Sequence, residues 1–105
     1  MRPRDTHEQR DRVQIIDVRE SAEWNAGHIE GAVHIPMGQL AARQDDIATD
    51  RPVVCVCRSG ARSGQVVRAL ARAGYNAHNM EGGMKAWSRA GLPFVSEHGN
   101  PPSVA

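Results

Sequence analysis

The sequence predicts one α/β domain built on a mainly parallel sheet with helices on both faces. Three observations carry this. Short apolar, β-branched runs alternate along the chain with stretches of helical pattern. The run PVVCVC (52–57) is apolar throughout, the mark of a strand covered on both faces. The 105 residues leave no room for two ordinary cores.

Element by element, VQIIDV (13–18) predicts a first strand, rich in β-branched residues. ESAEWNAG (20–27) predicts a short helix, with Ser21 as N-cap and Gly27 as terminator. AVHIP (32–36) predicts a second strand, stopped by Pro36. GQLAARQDDIA (38–48) places Leu40 and Ile47 a heptad apart and predicts a second helix. After the strand 52–57 comes the loop RSGAR, then the helix SGQVVRALARAG. Its stripe is Val66, Val67, Leu70 and Ala71, and Gly74 stands at the C′ position. YNAHNM (75–80) is a weaker strand, and GMKAWSRAG (83–91) a last short helix ending in Gly91. Residues 1–12 and 96–105 are mostly polar and are expected to be flexible, leaving 13–95 as the folded domain.

Composition narrows the function classes. Thirteen basic residues balance twelve acidic ones, so neither nucleic acid nor an anionic membrane is an expected partner. Only 4% of the residues are aromatic, which leaves Val, Ile, Ala and Leu to build the core. No apolar run approaches a membrane span or a secretory h-region. The two cysteines, Cys55 and Cys57, cannot form a disulfide framework, so a reducing, cytoplasmic setting is expected. His28 and His34 are poorly spaced as metal ligands and have no carboxylate cluster, so no metal is expected and the histidines read as loop braces or surface groups. No cofactor is expected either.

The chemistry concentrates after Cys57. In an open parallel sheet the functional site lies beyond the carboxyl ends of the strands. Cys57 ends the central run there and is followed by Arg58, Ser59, Gly60, Ala61 and Arg62. Such a strand-loop-helix joint turns successive N–H groups inward at the positive end of a helix dipole. Gly60 permits the tight path, and the small Ser59 and Ala61 keep the bowl open. The N–H groups, the dipole and the two guanidinium groups all favour thiolate over thiol. Cys55, inside the apolar run, reads as a core thiol.

Three blocks of the chain resemble the rhodanese family of sulfurtransferases. They are IIDVRESAEWNAGHIEGAVHIP, the loop CRSGARS, and NMEGGMKAWSRAGLP, which together span residues 15 to 93. The resemblance implies a three-layer rhodanese-like fold with a sheet of four to five strands. It also implies an activity. Cys57 takes a sulfane sulfur from thiosulfate or a persulfide donor, carries it as a persulfide, and passes it to a thiol or cyanide acceptor. Arg58 and Arg62 would attract a small anionic donor, and the loop from Ser59 to Ala61 would cradle the sulfur. An acceptor protein is a further candidate partner. Related phosphatases and arsenate reductases have five residues between Cys and Arg; the four here, RSGA, favour sulfur transfer. A non-catalytic sulfur-carrier or regulatory binding module is the alternative; the inactive forms of the family usually lack the cysteine that this chain keeps.

The start departs from the family pattern. Twelve polar residues stand where another strand and helix are usual, so the first of five strands is expected to be absent or very short. The edge this leaves would favour dimerisation, although the oligomeric state is not otherwise legible. Asp17 and Arg19 end the first clear strand near Cys57 and are expected to brace neighbouring loops, with Ser63 as a further supporting residue. Gly82-Gly83 reads as a turn into the last helix. Trp24 and Trp87 read as packing residues.

Overall fold

A computed structural model describes residues 1–105. Four strands form one parallel sheet in the order β2-β1-β3-β4: β1 is Gln14–Asp17, β2 Val33–His34, β3 Val53–Val56 and β4 Ala77–Asn79. The helices are α1 (Pro3–Glu8), α2 (Ser21–Ala26), α3 (Ala61–Arg72) and α4 (Gly83–Arg89). No strand precedes β1, in keeping with the four-strand end of the expected range.

The central pair, β1 and β3, is buried at every residue, and alternation sorts the side chains to two faces. Ile16, Val18, Val53, Cys55 and Cys57 point to one core, where Val66 and Leu70 of α3 cover them. Val13, Ile15, Val54 and Val56 point to the other, against Met84 and Trp87 of α4. An uninterrupted apolar run is what a strand clothed on both sides requires.

From β1 the chain moves outward to β2, and from β3 it moves the other way to β4. The two directions part between the carboxyl ends of β1 and β3, the place where an open α/β sheet leaves a crevice. The Val18 N–H donates to Val56 O at 2.9 Å, setting the residues after β1 beside Cys57.

Two local expectations are corrected. Residues 38–48 form no helix; two 3-10 turns stand there, at Met37–Gln39 and Gln44–Asp46. Gln14 of β1 supplies the reason. Its Nε2 donates to Asp46 O at 2.7 Å and its Oε1 accepts from the Ala48 N–H at 2.7 Å, so these backbone groups are satisfied without a helical ladder. Leu40 and Ile47 still pack on the same core. In α2 the N-cap is Glu20, and Ser21 is the first helical residue; the Glu23 carboxylate accepts from the Glu20 N–H at 3.1 Å.

The polar ends have structure of their own. Residues 1–12, which composition marks as flexible, carry α1, with Pro3 in its first turn, Thr6 wholly buried, and His7 edge-on to Trp87 at 5.6 Å. Residues 96–105 form no helix or strand but lie back toward α2, where the Ser103 N–H donates to Ala26 O at 2.9 Å. A Cβ on Gly27 would sit 2.5 Å from Ser103 O, so a glycine is needed for that approach.

Candidate active site

The site begins with the end of β3. Cys57 is buried, at 1% exposure, and its carbonyl accepts from the Met84 N–H at 2.9 Å. The next carbonyl, of Arg58, accepts from the Lys85 N–H at 3.0 Å. The free N–H groups of the first turn of α4 therefore clamp the peptide units on either side of the turn. Gly83 lies at φ +59°, and a Cβ there would come within 2.6 Å of the Arg58 carbonyl carbon and against Cys57 O. The Gly82-Gly83 pair is thus more than a turn: it is the surface on which the cysteine loop rests.

The loop then enters α3 through Gly60, at φ +103°, a left-handed conformation that suits glycine. This conformation aims the Gly60 N–H at the Cys57 sulfur, 3.0 Å away. One turn into the helix the Ser63 hydroxyl lies 3.2 Å from the same sulfur. Burial, the largest influence, would push the Cys57 thiol up. The Ser63 hydroxyl and the N–H groups of Ser63, Gly60 and Ser59 outweigh it together, and the thiol falls below its ordinary value. Cys55 has no such donors; burial, then the neighbouring Cys57, pushes it up to about 12. The two thiols are therefore chemically separated, one poised to ionise and one inert.

The cations are arranged differently from the sequence-based expectation. Arg62 donates from both terminal nitrogens to the two oxygens of Glu23, each at 2.8 Å. Arg58 is exposed, and its Nε donates to Ala105 O at 3.0 Å. The hydroxyl and amide donors, rather than a pair of free guanidinium groups, lower the thiol. Asp17 and Arg19 form a fully buried ion pair, with Nε donating to Oδ1 at 2.9 Å and Nη2 to Oδ2 at 2.8 Å. Nη2 also donates to Gly27 O at 2.7 Å, while Nη1 is buried without a partner. This pair ties the end of β1 to the end of α2, which is the bracing geometry.

Ala61 opens α3, and Ser59 contributes its N–H. His28 and His34 both stack on Trp24, at 3.6 and 4.7 Å between ring centres, and each also has a backbone oxygen within 2.8 Å. Trp87 is buried in the α4 core.

Sequence reasoning missed two polar residues here. Asn79, the last residue of β4, accepts from the Ser63 hydroxyl at 2.6 Å and donates to Gly60 O at 3.0 Å, so it ties both groups that face the sulfur. Glu23 neutralises Arg62. The rule that places sites at strand carboxyl ends could have found Asn79, which ends β4; Glu23 gave no comparable signal.

The chain matches the model of the rhodanese-like domain over residues 4–90. It belongs to the rhodanese family. Among its relatives, a sulfurtransferase of Allochromatium vinosum is 43% identical over 88 residues, covering 83% of this chain and 82% of the relative. The YqhL protein of Bacillus subtilis is 43% identical over 77 residues, covering 72% of this chain; the chain spans only 61% of that relative's length. A crystal structure of a rhodanese-related protein from Thermoplasma volcanium has a TM-score of 0.88 at 30% identity, covering 92% of this chain and 97% of the other. This rhodanese-like domain thus shares its family with sulfurtransferases, and its sheet with a solved member of nearly the same length. None of its helices is long and apolar enough to cross a membrane.

Proposed function

We propose that this rhodanese-like domain is a sulfurtransferase in which Cys57 carries the sulfur. The Cys57 thiolate attacks the outer sulfur of a donor R–S–SH, an S–S bond forms on Cys57, and the donor S–S bond breaks with its electron pair leaving on R–S⁻. With thiosulfate the same step expels sulfite. The resulting Cys57 persulfide then gives its terminal sulfur to a thiolate or to cyanide, and the electron pair of the broken S–S bond returns to Cys57. No net oxidation occurs, because the sulfur moves as a formally neutral atom between nucleophiles.

The observation that carries this reading is the pair of donors on the Cys57 sulfur, the Gly60 N–H at 3.0 Å and the Ser63 hydroxyl at 3.2 Å, at the carboxyl end of the central strand. Fixed donors around a buried sulfur stabilise the thiolate before attack and the anionic persulfide after it. Arg58 at the rim is the exposed cation that would meet an approaching anion. Asp17, Arg19 and Ser63 hold the frame. A cytoplasmic, reducing setting fits a chain whose two thiols are both free.

The test is steady-state transfer from thiosulfate or glutathione persulfide to cyanide, read as thiocyanate. Wild-type protein is expected to turn over and Cys57→Ala to fall to the uncatalysed rate. Equal rates for the two proteins would remove Cys57 from the chemistry.

A further inference from the structure

Two of the three arginines around Cys57 are matched one for one by carboxylates. Arg19 is held by Asp17, and Arg62 by Glu23, each through a two-pronged contact. Glu23 is ionised throughout the working range, since the hydrogen bonds from Arg62 hold its carboxyl down to about 2. A second anchor fixes it, because it also accepts from the Glu20 N–H. The remaining cation, Arg58, is exposed and turned toward Ala105 O. The nucleophile is itself an anion. Thiosulfate brings two more negative charges to it, shared between the sulfur under attack and the oxygens of the neighbouring group, and needs cationic compensation. An alkyl persulfide reacts as its protonated form, R–S–SH, and in that form carries no charge on the outer sulfur or on the sulfur next to it.

We infer that Glu23 is a specificity-determining residue: by keeping Arg62 in an ion pair, it withholds the charge a dianionic donor needs and turns the site toward alkyl persulfides. This rests on the sulfurtransferase reading above. The chemistry of loading stays the same for either donor: Cys57–S⁻ + R–S–SH gives Cys57–S–SH + R–S⁻, and Cys57–S⁻ + thiosulfate gives Cys57–S–S⁻ + sulfite. Only the electrostatic cost of approach differs. Glu23 acts through Arg62, so it is a positioning residue and touches no reacting atom.

The test is the second-order rate of sulfur loading onto Cys57, followed by quenched intact-mass measurements at low ionic strength. Glutathione persulfide and thiosulfate are the two probes, and wild-type protein is compared with Glu23→Gln. The variant keeps an oxygen for Arg62 but removes the charge. Wild type is expected to load from glutathione persulfide at least about tenfold faster than from thiosulfate. In Glu23→Gln that ratio is expected to shrink by about tenfold, and loading from thiosulfate to fall more steeply with added salt than in wild type. A merely structural role would slow both donors alike and leave the ratio and the salt slope unchanged, which overturns the inference. Equal loading from both donors in wild type overturns it without the variant, so the result stands even where Glu23→Gln unfolds. Loading from neither donor overturns the underlying sulfurtransferase reading as well.

Discussion

The Ser63 hydroxyl lies 3.2 Å from the Cys57 sulfur and carries a single proton, for which the Asn79 side-chain oxygen, at 2.6 Å, competes. When Cys57 ionises, the thiolate becomes the stronger acceptor and the hydroxyl turns to it. Ser63→Ala removes a donor that acts only on the charged form, so the thiol must titrate at higher pH. The midpoint of the pH profile for Cys57 alkylation by iodoacetamide is expected to rise by about one unit, since a hydrogen bond to a charged group contributes roughly 1.5–3 kcal/mol before water replaces part of it. A profile identical to wild type would mean that the backbone N–H groups alone set the thiolate.

Gly83 and Gly31 both have positive φ, at +59° and +88°, but their surroundings differ. A Cβ at Gly31 meets nothing within 4 Å, whereas at Gly83 it meets the backbone of Cys57 and Arg58. Gly31→Ala should cost about 1 kcal/mol of backbone strain, and Gly83→Ala roughly 3 kcal/mol or more, because backbone cannot move aside as a side chain can. Denaturant unfolding of the two variants checks the difference. The Gly83 variant is also expected to slow alkylation of Cys57, because the loop it displaces carries the donors to sulfur.

Asp17 is paired with an arginine that is wholly shielded from water. Asp17→Ala leaves the Arg19 guanidinium charged and buried without its counter-ion, a change that typically costs about 3–5 kcal/mol. Thermal unfolding measures it, and the loss is expected to exceed that of Glu23→Gln, whose arginine is about a third exposed.

The Glu23–Arg62 pair also has a pH signature. The Glu23 carboxyl is held down from 4.5 to about 2 in the folded chain, so it binds its proton more weakly when folded than when unfolded. Its contribution to stability is therefore present above about pH 4.5 and is lost as the pH falls toward 2. Arg62 reaches water, so the contribution is discounted to about 1 kcal/mol. The stability difference between wild type and Glu23→Gln, measured by urea unfolding, should close across that window; a difference that persists at pH 2 would assign the effect to packing.

Much of this arrangement was legible from local sequence. The all-apolar run ending at Cys57 announced a strand clothed on both faces, and the small residues after it announced a tight turn into a helix. What stayed hidden depends on partners far along the chain. Residues 38–48 carry a helical spacing, yet Gln14, more than twenty positions away, satisfies their backbone and lets 3-10 turns replace the helix. Arg62 looked free because its partner, Glu23, lies 39 positions earlier on an unremarkable polar helix. Residues 1–12 read as unstructured because the contacts of α1 rest on one buried threonine and one ring edge, too little for a periodic pattern. The doubled glycine read as a turn since its second task, admitting the Cys57 and Arg58 carbonyls, is a matter of distance and not of order in the chain.

The central claim is that Cys57, and not Cys55, carries a transferable sulfur. Intact-mass spectrometry of the full chain after incubation with glutathione persulfide and removal of excess donor, followed by peptide mapping under non-reducing conditions, tests it directly. The account predicts the gain of one sulfur atom on Cys57, its loss on adding cyanide or a thiol, and no gain in Cys57→Ala. A stable added sulfur on Cys55, or none on either cysteine, would contradict it.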